Sequence, residues 1–79
     1  LVADSVHWID QSPALPHKCG AKIRYRQASQ ECQVTGIDGE CIQVNFREPQ
    51  RAITPGQSIV FYDHDVCLGG SVIKSKSNE

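Results

Sequence analysis

Apolar and polar residues alternate with a period of two over most of this chain. Cys19, Ala21, Ile23 and Tyr25 fall on one side of an extended segment, and Lys22, Arg24 and Arg26 fall on the other. That alternation predicts a half-buried strand, because successive side chains of a strand point to opposite faces. The apolar residues do not recur at i+3 and i+4, so a helix does not fit. A second strand is predicted where Cys32, Val34 and Gly36 alternate with Gln33 and Thr35, and a third where Ile42, Val44 and Phe46 alternate with Cys41, Gln43 and Asn45. Asp38-Gly39 lies between these two and predicts a hairpin with a type I′ turn, whose central residues both need positive φ. Ile59 to Tyr62 reads as a fourth strand. Asp63-His64-Asp65 is a turn, and Val66 to Leu68 resumes the extended pattern until Gly69-Gly70 interrupts it. Paired glycines inside a strand pattern predict a bulge or a sharp bend, as a barrel corner needs. Thr54-Pro55-Gly56-Gln57 fits a type II turn, with Pro setting φ at the second position and Gly accepting positive φ at the third.

The expected fold is therefore all-β: a small closed or partly open barrel of about six short, mostly antiparallel strands, since closure removes edges that a small sheet cannot protect. Residues 18–74 are assigned to the barrel. Residues 1–17 are read as an entering segment, anchored by Val6, Trp8 and Ile9 and followed by a connector held between Pro13 and Pro16. Trp8 is read as a packing anchor rather than a stacking platform. Residues 75–79 are expected to be a polar tail that frays.

With 79 residues, the chain has room for one domain and little room for a deep active site. The apolar fraction is 39% and the charged fraction 22%, which suits a globular soluble chain. No apolar stretch is long enough to span a bilayer as a helix, and a membrane partner is not expected. A leader segment is not evident, and the opening Leu in place of Met hints at a fragment. A net charge of −1 argues against a surface that grips nucleic acid everywhere, but leaves room for a local basic stripe. Cys19, Cys32, Cys41 and Cys67 each lie in or beside an apolar run and form no C-x-x-C pair, so they read as reduced thiols used as small apolar residues. His64 and Cys67 offer two ligands where zinc takes four, and no metal site is predicted.

The chemistry-bearing patterns are few. There is no G-x-S-x-G elbow and no H-E-x-x-H, and Gly69-Gly70-Ser71 lacks the lysine and helix of a phosphate loop. Asp63 and Asp65 are read as turn residues. No catalytic residue is predicted. The one constellation suited to binding is the line of Lys22, Arg24 and Arg26. Alternate side chains on a strand stand roughly 6.6 Å apart, close to the spacing of phosphates along an RNA strand. The pattern fits equally an ordinary solvated face with Tyr25 in the core.

Five blocks then fall in order along the chain: Val6-His7-Trp8-Ile9, Lys22-Ile23-Arg24-Tyr25-Arg26-Gln27, Pro49 through Ser58, Val60-Phe61-Tyr62, and Val66-Cys67-Leu68-Gly69-Gly70. Together they resemble the carboxy-terminal end of bacterial tRNA-specific 2-thiouridylases. The resemblance implies a β-barrel similar to those of translation factors, preceded in the full polypeptide by an ATP-pyrophosphatase domain and a central domain. It implies a cytoplasmic enzyme that activates the wobble uridine of the Lys, Glu and Gln tRNAs with ATP and magnesium. Sulfur would come from a persulfide fed by a relay protein. The nucleotide loop and catalytic cysteines of that family have no match here, so no cofactor and no catalytic residue is assigned to this chain. By resemblance Arg24, Tyr25 and Gln57 are tRNA contacts. Alternation and proximity add Lys22, Arg26 and Arg51. The chain departs from the family pattern at His64 and Ser71, where glycine is usual. The alternative reading is a structural barrel that docks against sister domains and makes no contact with RNA.

Overall fold

The computed structural model describes residues 1–9, 14–24, 28–50 and 53–75. Six strands follow one another: β1 (Val2–Trp8), β2 (His17–Lys22), β3 (Gln30–Asp38), β4 (Cys41–Phe46), β5 (Ser58–Asp63) and β6 (Val66–Ser75). They close into a barrel in the order β1-β4-β3-β2-β5-β6, and every neighbouring pair is antiparallel. The fold class is as the alternation predicts. Inward-facing residues from all six strands meet in one core, in which Val34, Ile42, Val44, Ile59, Phe61 and Ile73 are almost wholly buried. Ala3 and Ala21 are buried as well, small residues that let opposite walls of a narrow barrel approach. Trp8 packs on this core with its ring 5.6 Å from that of Phe61, the anchoring role expected of it.

Four expectations are corrected. Residues 2–8 do not merely lead into the barrel. They form β1, which pairs with both β4 and β6 and closes the cylinder. The strand from Cys19 stops pairing at Lys22, and Ile23 and Arg24 form a bend. Ile23 is nonetheless buried, so the inward alternation outlasts the hydrogen-bonded ladder by one residue. The β3–β4 turn is displaced by one residue from the Asp38-Gly39 centre. Asp38 pairs with Cys41, which leaves Gly39 and Glu40 as the two turn residues. Only Gly39 has positive φ, at 64°, the pattern of a type II′ turn with glycine first rather than a type I′ turn. Finally, β6 runs unbroken through Gly69-Gly70 and on to Ser75, which pairs with Val2.

The glycine pair does mark an irregularity. Phe61 pairs with Gly69 and Tyr62 with Cys67, so β6 carries one extra residue, Leu68, as a bulge. A side chain at Gly69 would run into the carbonyl oxygen of His7 and the indole of Trp8. A second bulge lies in β1, where Asp4 pairs with Val72 and His7 with Gly70. Ser5 in this bulge has φ 53°, a conformation usually taken by glycine. Extra residues of this kind bend and twist strands, which helps so short a sheet close on itself.

Candidate functional site

Three of the six predicted contact residues lie among the described residues, and strand register brings them to one end of the barrel. Gly20 pairs with Tyr62, Ala21 with Phe61 and Lys22 with Val60. Because β2 and β5 are antiparallel, the segment leaving β2 after Lys22 and the turn entering β5 at Ser58 share an end. Lys22, Arg24 and Gln57 belong to that end. Tyr25, Arg26 and Arg51 lie outside the described residues.

Arg24 is exposed just past the last paired residue of β2. Lys22 is half-buried, and its Nζ sits 5.3 Å from the centre of the Tyr62 ring. The cation faces the ring's negative π surface there, an attraction of about 0.5–1 kcal/mol at an exposed site. Gln57 ends the Thr54–Gln57 turn. Gly56 has φ 94°, and the Gln57 amide donates to the Thr54 carbonyl at 3.3 Å, consistent with the type II geometry expected from Pro55-Gly56. The side chain also serves the turn, since Gln57 Oε1 accepts from the Thr54 amide at 2.8 Å. Two further backbone bonds tie the turn to β6: Gly56 N donates to Ile73 O, and Ile73 N donates to Gln57 O, both at 2.8 Å. Gln57 thus has a fixed position, with its Nε2 hydrogens as the groups an outside oxygen can take.

Two features were not read from the sequence. Cys19 of β2 lies directly opposite Cys32 of β3, with their Sγ atoms 3.7 Å apart. Both cysteines fall on inward faces by alternation, but only the register of β2 against β3 makes them neighbours. The hydrogen bond from the Cys32 thiol holds the Cys19 pKa below its ordinary value, opposed by burial and by the Asp63 carboxylate. The Cys32 pKa is raised, first by that same bond and then by burial. The second feature is His17, whose Nε2 is buried without a hydrogen-bond partner among the described residues.

The Gly69-Gly70-Ser71 run does not form a phosphate loop. Gly69, Gly70 and Ser71 are extended residues of β6 rather than a loop, and the Ser71 hydroxyl donates to the Asp4 carbonyl across the β1–β6 pair. One ion pair lies at the surface. Arg47 meets Glu31 at 3.0 Å with both side chains well exposed, a geometry that contributes little to stability.

A family profile described as the aminomethyltransferase β-barrel domain matches residues 1–73. The chain belongs to this family. Within the aminomethyltransferase β-barrel family it is 57% identical over 74 residues to the tRNA-specific 2-thiouridylase MnmA of Ruthia magnifica, an alignment covering 94% of this chain and 20% of that protein. It is 49% identical over 80 residues to the same-named protein of a Marinomonas strain, covering all of this chain and 20% of the relative. For the protein of Serratia proteamaculans the identity is 46%, over all of this chain and 22% of the relative. The chain thus spans about a fifth of the length of these curated relatives, and it corresponds to the carboxy-terminal β-barrel of tRNA-specific 2-thiouridylases.

Proposed function

We propose that this barrel is the tRNA-contacting domain of an ATP-dependent tRNA 2-thiouridylase, and that it holds tRNA against catalytic domains on the same polypeptide. Activation of the uridine by ATP and magnesium, and sulfur delivery through a relay protein, belong to those other domains. The task of this domain is positional. Contacts to phosphate and sugar fix orientation and carry no sequence information, so the choice among Lys, Glu and Gln tRNAs falls to tRNA shape and to the rest of the enzyme.

The observation that carries this reading is the shared end of β2 and β5, where an exposed arginine stands beside a turn pinned by Gln57. An arginine fork suits phosphate oxygens, and a clamped turn offers amide hydrogens at a fixed place with little ordering cost. In the full-length enzyme, Arg24→Ala and Gln57→Ala are expected to weaken tRNA binding while leaving ATP binding intact. The 79-residue chain alone is expected to bind tRNA weakly, with affinity that falls steeply as salt rises. Unchanged tRNA affinity in both variants refutes the assignment.

One observation favours the alternative of a structural docking barrel. Lys22 is seated on Tyr62, and Gln57 Oε1 is occupied by its own turn, so both residues have structural work without RNA. An NMR titration of the chain with tRNA separates the two. Shifts clustered at Lys22, Arg24 and Gln57 support RNA contact, and their absence at low salt supports the structural barrel.

A further inference from the structure

We propose that Cys19 and Cys32 are a reversible dithiol, a site of oxidative modification that reacts with small disulfides and closes into a cross-strand disulfide between β2 and β3. This inference is independent of any role in RNA contact.

The two residues are direct partners in the antiparallel β2–β3 pair, where facing Cβ atoms stand ~4.5–5.5 Å apart. A disulfide needs Cβ atoms ~3.5–4.5 Å apart and sulfurs ~2.05 Å apart. The sulfurs already stand at 3.7 Å, so rotation of the two short side chains and a small closure of the strands suffice. Neither the fold nor the partner strands need to rearrange.

The two thiols are also unequal in the way a stepwise exchange requires. Cys19 is half-buried, and solvent reaches it, whereas Cys32 is only 5% exposed. Both contribute to the wall of a cavity of about 780 Å³ that is also lined by Lys18, Glu31, Phe46 and Asp63. The shared hydrogen bond favours thiolate at Cys19 and thiol at Cys32, and the thiolate is the nucleophile in exchange. Cys19 is therefore the entry thiol and Cys32 the resolving one. Cys41 and Cys67 differ: neither has a sulfur partner among the described residues, and Cys67 is exposed.

The reaction is balanced by the small disulfide itself. The Cys19 thiolate attacks one sulfur of R–S–S–R, forming Cys19–S–S–R and expelling R–S⁻, which takes up the proton that Cys19 gave up. Cys32 then attacks the Cys19 sulfur of the mixed disulfide as its own proton passes to the departing R–S⁻. Two protein thiols lose two electrons in total, one small disulfide gains them, and two R–SH molecules leave. A dithiol reductant runs the sequence backwards.

The test uses the 79-residue chain with oxidised glutathione, followed by alkylation, intact mass and peptide mapping. The expected product has lost two hydrogens and two alkylatable thiols, its cross-link maps to Cys19–Cys32, and dithiothreitol restores both thiols. Cys32→Ser should stall with glutathione on Cys19 and no cross-link. A Cys41→Ser/Cys67→Ser variant should give the wild-type cross-link unchanged. The proposal is overturned if Cys67 acquires glutathione while Cys19 and Cys32 both stay reduced, or if the cross-link joins any other pair. The wild-type map decides the matter even if a variant fails to fold.

Discussion

His64 is a side chain in a backbone conformation that suits glycine. It is the first residue of the β5–β6 turn, with φ 56°, and its imidazole is 95% exposed and meets Asp63 Oδ1 at 2.9 Å. Histidine tolerates this region better than branched residues do, and a left-handed residue costs ~1–2 kcal/mol relative to the ordinary helical region. His64→Gly is expected to leave stability unchanged or raise it by up to ~1 kcal/mol, and His64→Val to lower it by ~1–2 kcal/mol. Urea midpoints of the two variants check both signs. The resemblance to 2-thiouridylases implies glycine at this position, and the positive φ supplies the reason. At Gln57 the Pro55-Gly56 pattern predicts the turn but not what the side chain does, because a glutamine that accepts from its own turn has no signature in residue order. Cys19 and Cys32 were legible only as inward-facing residues. Their pairing depends on how far one strand slides along another, a quantity that alternation leaves undetermined.

At the level of elements, β4 and β5 were read almost to the residue, because each is a run of alternating or continuous apolar residues bounded by strong turn signals. β1 was missed as a barrel strand. Its bulge at Ser5 shifts the alternation by one, so that Ala3 and Trp8 both approach the core although they differ in parity. The close packing of β1 on β6 has a direct test. A Cβ at position 69 would collide with the His7 carbonyl and the Trp8 ring, and backbone atoms cannot yield as a flexible side chain can. Gly69→Ala is expected to lower stability by ~2–3 kcal/mol, as overpacking does. Gly39→Ala would meet no atom within 4 Å and carries only the cost of its positive φ, ~1–2 kcal/mol. Thermal unfolding of the two variants side by side separates collision from conformational strain.

For the whole molecule, the barrel is closed by the two segments furthest apart in sequence. Domains of this size have only several kcal/mol of stability to lose. A piece comprising residues 18–74 would lack β1 altogether, leave the edges of β4 and β6 unpaired, and expose Phe61 beside the vacated Trp8. It is expected not to fold, reporting as a disordered chain by amide dispersion in NMR, whereas residues 1–75 fold. No helix among the described residues is long and apolar enough to cross a membrane. Among the described residues, Lys22, Arg24 and Gln57 lie at one end of the barrel, a local arrangement that a net charge of −1 does not oppose.

The pairing of Val2 with Ser75, and of Trp8 with Gly69, also governs the response of the barrel to tension. Val2 and Ser75 lie at the same end of one antiparallel pair. A force drawing them apart would load the β1–β6 hydrogen bonds one after another, like the teeth of a zip, rather than all together in shear. Pulled by its ends, this cylinder would open at low force along that single seam.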